Sequence, residues 1–238
     1  MKLLRIIKYI MRHPQDVIKY SYYLAFIFTP KSVIRGFSRY ISDFVSSLLG
    51  QSIDFYEYFN EKSIPILQKI LLDSISPPSG EMPLSLDESL SLYILVKVMK
   101  PKVVVETGVS AGRSSGFILQ ALHENGEGYL YSIDPDPNAG WAIPKYLRYR
   151  HKLFIGASKD ILPKLVRELP MIDIFLHDSL HTYDNMIFEY RTAWHALKKG
   201  GILLSDDVDW NTAFEDFSRE IGCRAVYLTR SFAGIRKC

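Results

Sequence analysis

The sequence predicts an α/β protein: an open, mostly parallel sheet of about seven strands behind a helical N-terminal extension. Three observations lead to this fold class. Short apolar, β-branched runs alternate with helical stretches in the second half of the chain. Most of these runs are nearly continuous in apolar residues, as in strands covered by helices on both faces. Residues 1–72 instead show the three- to four-residue spacing of amphipathic helices.

The composition is that of an ordinary globular protein. Of the 238 residues, 47% are hydrophobic and 23% are charged, which excludes disordered and fibrous folds. Glycine and proline are scattered without a period, and no internal repeat is visible. Two cysteines, Cys223 and Cys238, are too few for a disulfide scaffold and lie in no metal-binding motif. The sequence therefore favours an intracellular protein.

The net charge of +3 conceals an asymmetry between the two parts of the chain. Residues 1–50 carry eight Lys and Arg against two Asp, whereas the other 188 residues carry 21 basic and 24 acidic side chains. The basic character thus belongs to the N-terminal part. Because the larger part is mildly acidic, we expect no nucleic-acid partner.

Three amphipathic segments make up the N-terminal extension. The first has one basic and one apolar face and stops at Pro14. The second runs over residues 15–28, and its nine-residue apolar end is too short to span a bilayer. The third starts at Thr29 and Pro30, which suit the N-cap and first position of a helix, and stops at Gly50.

Two interpretations of these helices stay open. In one, they pack against the main domain or against a second copy of the chain. In the other, their basic face binds anionic lipid while the apolar face enters the headgroup boundary. Peripheral membrane contact through residues 1–50 and a homo-oligomer are therefore both hypotheses, and the apolar stripe of residues 31–50 favours self-association. The expected location is cytoplasmic, with peripheral membrane binding as the alternative.

The remaining elements follow in order. A linker rich in Ser and Pro covers residues 74–80. A helix over residues 85–99 has Ser85 or Asp87 as its cap and Pro101 beyond its end. The predicted strands are 103–107, 129–134, 152–155, 172–176, 202–205, 224–228 and 232–236. The last two are joined by only three residues, so they must form an antiparallel hairpin.

Ligands of open parallel sheets bind beyond the carboxyl ends of the strands, so the residues that follow each strand are the candidates for ligand binding. A loop of small residues from Glu106 through Gly108 to Gly112 follows the first strand and opens a helix. Its glycines permit a tight turn and close approach of the backbone. The spacing fits neither the dinucleotide fingerprint nor the P-loop. Arg113 and Ser114, in the first helical turn, are expected to cap and solvate the helix.

Two further residues at this edge point to a nucleoside. Asp134 ends the second strand, where a carboxylate can accept the hydroxyls of a ribose, so the pattern favours an adenosine-containing ligand. Ser158 follows the third strand. It either borders an adenine ring or caps the next helix, and both interpretations stay open.

Acidic residues follow the fourth and fifth strands. Asp178 comes after the fourth, and Asp206 and Asp207 come after the fifth. Neighbouring carboxylates repel each other unless they share a cation, so a magnesium site would explain why three acids lie together. The alternative is that Asp206 caps a segment and Asp207 faces water. His181 lies three residues past Asp178, and a neutral imidazole there suits removal of a hydroxyl proton. His177, at a strand end, is expected to be structural.

The glycine loop resembles the first motif of class I S-adenosylmethionine-dependent methyltransferases, in the form E-x-G-x-x-x-G. Residues 175–183 and 200–207 resemble the small-molecule O-methyltransferase branch known as methyltransferase domain 24, which is related to macrolide-sugar methyltransferases. The resemblance covers residues 85–236. It implies a Rossmann-like fold, with residues 1–80 as the extension and residues 81–238 as the cofactor-binding domain.

The resemblance also implies a reaction and a set of site residues. The reaction is transfer of a methyl group from S-adenosylmethionine to an oxygen of a small molecule or sugar, assisted by Mg²⁺. The implied cofactor-binding residues are Glu106, Gly108, Ser110, Gly112 and Asp134, with Ser158 and Asp178 beside them. The implied metal ligands are Asp178, Asp206 and Asp207, and His181 is the implied base. The alternatives are an NAD(P)-linked oxidoreductase and a non-catalytic, membrane-associated binding protein.

Overall fold

A seven-stranded sheet lies at the centre of the computed structural model, which describes residues 17–75 and 84–238. The strands are β1 (Val103–Thr107), β2 (Tyr129–Asp134), β3 (His151–Ile155), β4 (Ile172–His177), β5 (Leu197–Ser205), β6 (Ala225–Tyr227) and β7 (Ala233–Arg236). Their order in the sheet is β3-β2-β1-β4-β5-β7-β6. β1 to β5 are parallel, and β7 is antiparallel to both of its neighbours. The predicted fold class and the C-terminal hairpin are confirmed.

Helices cover both faces of the sheet. They are α1 (Val17–Phe28), α2 (Pro30–Leu49), α3 (Phe55–Tyr58), α4 (Ile64–Ser74), α5 (Leu86–Met99), α6 (Arg113–Asn125), α7 (Ser158–Glu168), α8 (Tyr183–Ala196) and α9 (Ala213–Ile221), with 3₁₀ turns at Glu61–Ser63 and Lys145–Arg150. One buried cluster joins α1 to α6 with one face of the sheet, and a second joins α7, α8 and α9 with the other. Alternate residues of each strand therefore enter different cores.

The third N-terminal segment forms α2 as predicted. Thr29 is its N-cap residue, Pro30 is its first residue, and Gly50 ends it with a φ of +66°. Its apolar face is buried: the ring of Phe44 lies 6.3 Å from that of Phe232, and Leu48 packs beside Gly234 of β7. This corrects the argument for self-association, because α1, α5 and the C-terminal strands together cover most of the stripe within the chain itself.

Other N-terminal predictions have different outcomes. The segment that stops at Pro14 lies outside the described residues. Of the linker predicted over residues 74–80, Ser74 is instead the buried last residue of α4, and residues 76–80 lie outside the described residues. Among the helices of the described ranges, none has the length and apolarity that crossing a membrane requires. Membrane contact and the cytoplasmic location stay predictions.

Arg113 corrects another expectation, since it does not solvate the start of α6. Its side chain is only 2% exposed. Its Nε atom donates to Ser74 Oγ at 2.9 Å, and its Nη1 atom donates to the hydroxyl of Tyr23 at 2.8 Å and to the carbonyl of Leu84 at 2.7 Å. The N-cap residue is Gly112 instead. The guanidinium thus ties α1 and α4 to the helix that follows the glycine loop.

The two cysteines form a disulfide, a pairing that the cysteine count did not predict. Cys223 precedes β6 and Cys238 follows β7, at a sequence separation of 15 residues. The bond therefore closes the C-terminal hairpin at its open end. The disulfide lies near the amino ends of the parallel strands, whereas the predicted site residues follow their carboxyl ends.

Removing this disulfide is expected to lower the free energy of unfolding by about 3 kcal/mol, the loop-closure entropy of a 15-residue loop. The change is a double substitution, Cys223→Ser with Cys238→Ser, measured by denaturant unfolding. Reduced wild-type protein is the control and should unfold with the variant. If oxidised wild type, reduced wild type and variant share one midpoint, the disulfide contributes nothing to stability.

Candidate active site

The glycine loop makes two close backbone approaches. Gly108 has a φ of +80°, and a Cβ atom there would lie 1.7 Å from the carbonyl oxygen of Asp178. Gly112 has a φ of +87°, and a Cβ atom there would lie 2.9 Å from the Cα atom of Gly140. Side chains are excluded at both positions by space and by backbone conformation. The loop after β1 therefore lies directly against the loop after β4.

Glu106 is buried at the end of β1 and faces hydroxyl groups of the protein itself. Its carboxylate accepts hydrogen bonds from Ser132 of β2 at 2.7 Å, from Ser114 at 3.2 Å and from Ser115. Burial raises the pKa of Glu106 to about 7, although these three donors act in the opposite direction. The side chain thus joins β1, β2 and the first turn of α6. Its implied role toward a cofactor stays a prediction.

Asp134 also holds the glycine loop. Its Oδ2 atom accepts from the backbone N–H groups of Val109 at 2.7 Å and Ser110 at 3.0 Å, and its Oδ1 atom accepts from Asp136 N at 2.8 Å. Ser110 itself has a φ of +46°, unusual for a residue with a side chain. A carboxylate oxygen has two lone pairs, so Oδ1 retains capacity for a further donor.

Ser158 is the first residue of α7, and the N-cap residue is Ala157. The interpretation of Ser158 as a helix cap is therefore wrong. Its hydroxyl group is among the groups that lower the pKa of Glu189 on α8. Ser158 therefore lies near the helix that follows β4.

Acidic groups converge beyond β4 and β5. Asp178, Asp206 and His181 each offer one ligand atom, and these atoms all lie within 4.8 Å of one another. Burial raises the pKa of Asp178 well above its usual range, and the charge of Asp206 adds to the effect. Burial also raises the pKa of Asp206 to about 8, with contributions from Glu88 and Asp207. Such a donor set suits a divalent cation, whose charge would relieve this repulsion.

Asp207 stands apart from that group of three. It has a φ of +49°, and its Oδ2 atom lies 3.3 Å from Nδ1 of His181. The structure thus brings together two of the three acids that were predicted to ligate magnesium, and it adds His181 to them. The third acid contacts the histidine.

His181 is packed between two rings. Its ring centroid lies 5.2 Å from that of His177 and 5.7 Å from that of Trp210, whose indole is exposed. Burial lowers the pKa of His181 to about 4, and the charge of His177 acts in the same direction. The Nε2 atom is buried and has no hydrogen-bond partner within the described ranges.

Sequence reasoning missed Glu189, a fully buried carboxylate on α8. Its Oε2 atom lies 2.5 Å from the hydroxyl oxygen of Thr107 and 2.6 Å from Nδ1 of His177, and its Oε1 atom accepts from Ser179 at 2.7 Å and from Asn185 at 3.0 Å. Burial alone would raise the pKa of Glu189, but the charge and hydrogen bond of His177 help to lower it to about 2. Glu189 thereby fixes the loop that carries Asp178 and His181.

A signal for Glu189 was present in the sequence. It lies at helical spacing among Met186, Tyr190 and Ala193, which form the buried face of α8. An acid within an apolar helical face implies a buried partner. The partners are far along the chain, with Thr107 separated from Glu189 by 82 positions, so the pattern alone did not reveal them.

Replacing Glu189 by Gln is expected to lower the free energy of unfolding by about 3 kcal/mol, because it leaves His177 and its neighbours without a buried acceptor charge. The measurement is denaturant unfolding at neutral pH. Glu220→Gln is the matched control, since Glu220 is exposed and pairs with Arg191 at the surface. The control should leave stability essentially unchanged, and equal losses in both variants would contradict the special role of Glu189.

Comparison with known proteins places this arrangement in context. Residues 105–208 match the model of a family described as a methyltransferase domain. Over 137 residues, the chain is 31% identical to tapetum-specific methyltransferase 1 of Arabidopsis thaliana, an alignment that covers 55% of this chain and 57% of that protein. The chain thus spans a little over half the length of this curated relative.

Solved structures share the fold. The S-adenosylhomocysteine-bound methyltransferase PaMTH1 of Podospora anserina superposes with a TM-score of 0.56 at 15% identity, covering 76% of this chain and 89% of that one. The O-methyltransferase TomG of Streptomyces achromogenes, solved with S-adenosylmethionine, superposes with a TM-score of 0.55 at 16% identity, covering 82% and 93%. The predicted Rossmann-like fold is confirmed.

Proposed function

Because residues 105–208 match the model of a methyltransferase domain family, we propose that this protein transfers a methyl group from S-adenosylmethionine to an oxygen of a small molecule or sugar, with the help of Mg²⁺. One observation carries the proposal: Asp178, Asp206 and His181 converge beside the glycine loop, whose Gly108 touches the backbone of Asp178. A site for the donor and a site for the acceptor would therefore adjoin each other.

The glycine loop and Asp134 would bind the donor. Gly108 and Gly112 allow the loop to pack closely at the end of β1, and Glu106 and Asp134 hold that loop from both sides. Among the described residues, Asp134 Oδ1 accepts one backbone hydrogen bond, and it would also take a ribose hydroxyl. The alternative oxidoreductase needs a dinucleotide fingerprint that this loop lacks.

The acidic residues would bind the metal. Asp178 and Asp206 are the ligands in this proposal. Asp207, which was also predicted to be a ligand, contacts His181. When bound, Mg²⁺ supplies positive charge that stabilises a developing alkoxide and orients the acceptor. Burial and neighbouring acids raise the pKa of both carboxyl groups, because negative charges there repel each other strongly. A bound cation would offset this repulsion.

His181 would accept the proton of the acceptor hydroxyl. Its Nε2 atom has no partner within the described residues, while its Nδ1 atom lies beside Asp207. Asp207 would thus orient the ring and leave Nε2 for the acceptor. Orientation is the main contribution required here, because the sulfonium is already a strong methyl donor.

The domain boundary is also part of the proposal. We assign residues 81–238 to the cofactor-binding domain and residues 1–80 to the helical extension. The contacts of Arg113 with Ser74 and Tyr23 fix that extension against the first turn of α6. It would shape the surroundings of the site without supplying the reacting groups.

The proposal is tested with the full chain by calorimetry and by a transfer assay. S-adenosylhomocysteine should bind without metal, and transfer of a labelled methyl group to hydroxylated acceptors should require Mg²⁺ and stop with chelator. Binding of NAD(P)H in place of S-adenosylhomocysteine would favour the oxidoreductase. Cofactor binding without transfer to any acceptor, with or without Mg²⁺, would favour the non-catalytic binding protein.

A further inference from the structure

A cavity of about 490 Å³ lies away from the candidate active site. It is bordered by the end of α2, the start of β5 and the β6–β7 hairpin. Lys199 and Gly200 line it from the first half of β5, whereas Asp206 follows the carboxyl end of that strand. The cavity therefore belongs to the opposite end of the sheet.

The side chains that line the cavity carry an excess of positive charge. Four cationic side chains contribute to it, and no Asp or Glu side chain does. They are Lys199, Arg224, Arg236 and Lys237. None of the four forms an ion pair with a carboxylate of the described chain. Elsewhere, exposed cations such as Lys31, Lys102 and Arg191 have acidic partners.

Two of these cations are held in place by neutral groups. Arg236 Nη1 donates to the carbonyl of Leu49 at 2.6 Å, and Lys237 Nζ donates to the carbonyls of Trp194 at 2.6 Å and Leu197 at 2.7 Å. Backbone carbonyls fix the position of a cation without cancelling its charge. The two side chains are therefore ordered for an anion in advance, which lowers the entropic cost of binding.

Two glycines and the disulfide support this geometry. Gly50 and Gly200 both have positive φ angles, and a Cβ atom at either would lie 3.5 Å from a guanidinium nitrogen of Arg236. Both backbone turns thus come close to the guanidinium group. The Cys223–Cys238 disulfide also borders the cavity and ties both ends of the hairpin together.

We propose that this cavity binds an anion that carries phosphate groups, as a free phosphorylated molecule or as the headgroup of an anionic lipid. Guanidinium groups match the oxygens of phosphate in a bidentate fashion, and lysines add charge around them. Four cations suit a multiply charged anion better than a single carboxylate. The volume lies in the range of small-molecule sites.

The test uses inorganic pyrophosphate as the probe, titrated calorimetrically into the full chain at low salt. A chelator keeps divalent ions away from the acidic residues of the candidate active site. The double substitution Lys199→Gln with Arg224→Gln should weaken binding about tenfold, as expected for two exposed charge contacts. Lys159→Gln with Lys164→Gln, on the exposed surface of α7, is the charge-matched control and should bind like wild type.

A second arm distinguishes the two sources of phosphate. The wild-type chain and both double variants are sedimented with vesicles of phosphatidylglycerol and, separately, of phosphatidylcholine. The ligand is a lipid headgroup if the wild-type chain sediments with phosphatidylglycerol but not with phosphatidylcholine, the Lys199/Arg224 variant does not sediment, and pyrophosphate does not bind. Pyrophosphate binding that this variant loses identifies a free ligand. Absence of both, or equal loss in the control variant, overturns the proposal.

Discussion

Replacing Asp178 by Asn is expected to reduce methyl transfer by about a thousandfold or more while stabilising the ligand-free protein. The first effect follows from loss of a charged metal ligand, since metal stabilisation of the transition state amounts to several kcal/mol. The second follows from relief of charge crowding: Asp178 lies among Asp206, Glu106 and Asp207, and burial strengthens their repulsion. Asn keeps the shape of the side chain, can still form hydrogen bonds and removes only the charge.

The two effects are measured separately. Turnover is assayed at saturating S-adenosylmethionine and Mg²⁺, and thermal unfolding is followed in chelator, where a rise of about 2 °C or more corresponds to about 1 kcal/mol for a chain of this size. Affinity for S-adenosylhomocysteine should stay within a fewfold of wild type. Glu168→Gln, an exposed carboxylate at the end of α7, is the control and should change neither quantity. A variant that loses stability together with turnover would indicate a structural role for Asp178.

Replacing Gly108 by Ala is expected to lower the free energy of unfolding by at least about 3 kcal/mol. Two costs combine: the positive φ of +80° and a Cβ atom that would lie 1.7 Å from the backbone oxygen of Asp178. Because the obstructing atom belongs to the backbone, the loops after β1 and β4 must separate. Cofactor affinity should therefore fall with stability.

Gly126 provides the matched control for this substitution. It also has a positive φ, +76°, but a Cβ atom there would meet no atom within 4 Å. Gly126→Ala should therefore cost only about 1 kcal/mol, the price of the left-handed conformation alone. Denaturant unfolding and S-adenosylhomocysteine titration of both variants separate the clash from the conformational cost. Equal losses of stability in the two variants would show that the two loops are not in contact.

The sequence predicted the sheet well because local patterns encode buried parallel strands. β1 and β2 coincide with the predicted runs, since every residue of β1 and most of β2 is buried. β5 begins at Leu197, five residues before the predicted start. The prediction missed these residues because Lys198, Lys199, Gly200 and Gly201 interrupt the apolar run. Strand edges rich in Gly and Lys carry no such local signal.

The parts that sequence reasoning missed depend on partners that are distant along the chain. Arg113 is buried because Tyr23, Ser74 and Leu84 surround it, and none of these is near it in sequence. The network of Glu189 likewise begins at Thr107. The residues that follow the strand ends, such as Asp134, Asp178 and Asp206, were easier to predict. Parallel strands bring their carboxyl ends to one edge of the sheet regardless of sequence.

A sulfonium nucleoside and a divalent cation are expected to bind side by side beyond the carboxyl ends of the parallel strands. Crystals grown with S-adenosylhomocysteine and Mn²⁺ would reveal both, the metal through its anomalous signal. We expect one strong anomalous peak within bonding distance of carboxylate oxygens of Asp178 and Asp206, with the nucleoside over the loop of Gly108. A bound nucleoside with no anomalous peak at those two carboxylates, or with the peak elsewhere, would contradict this arrangement.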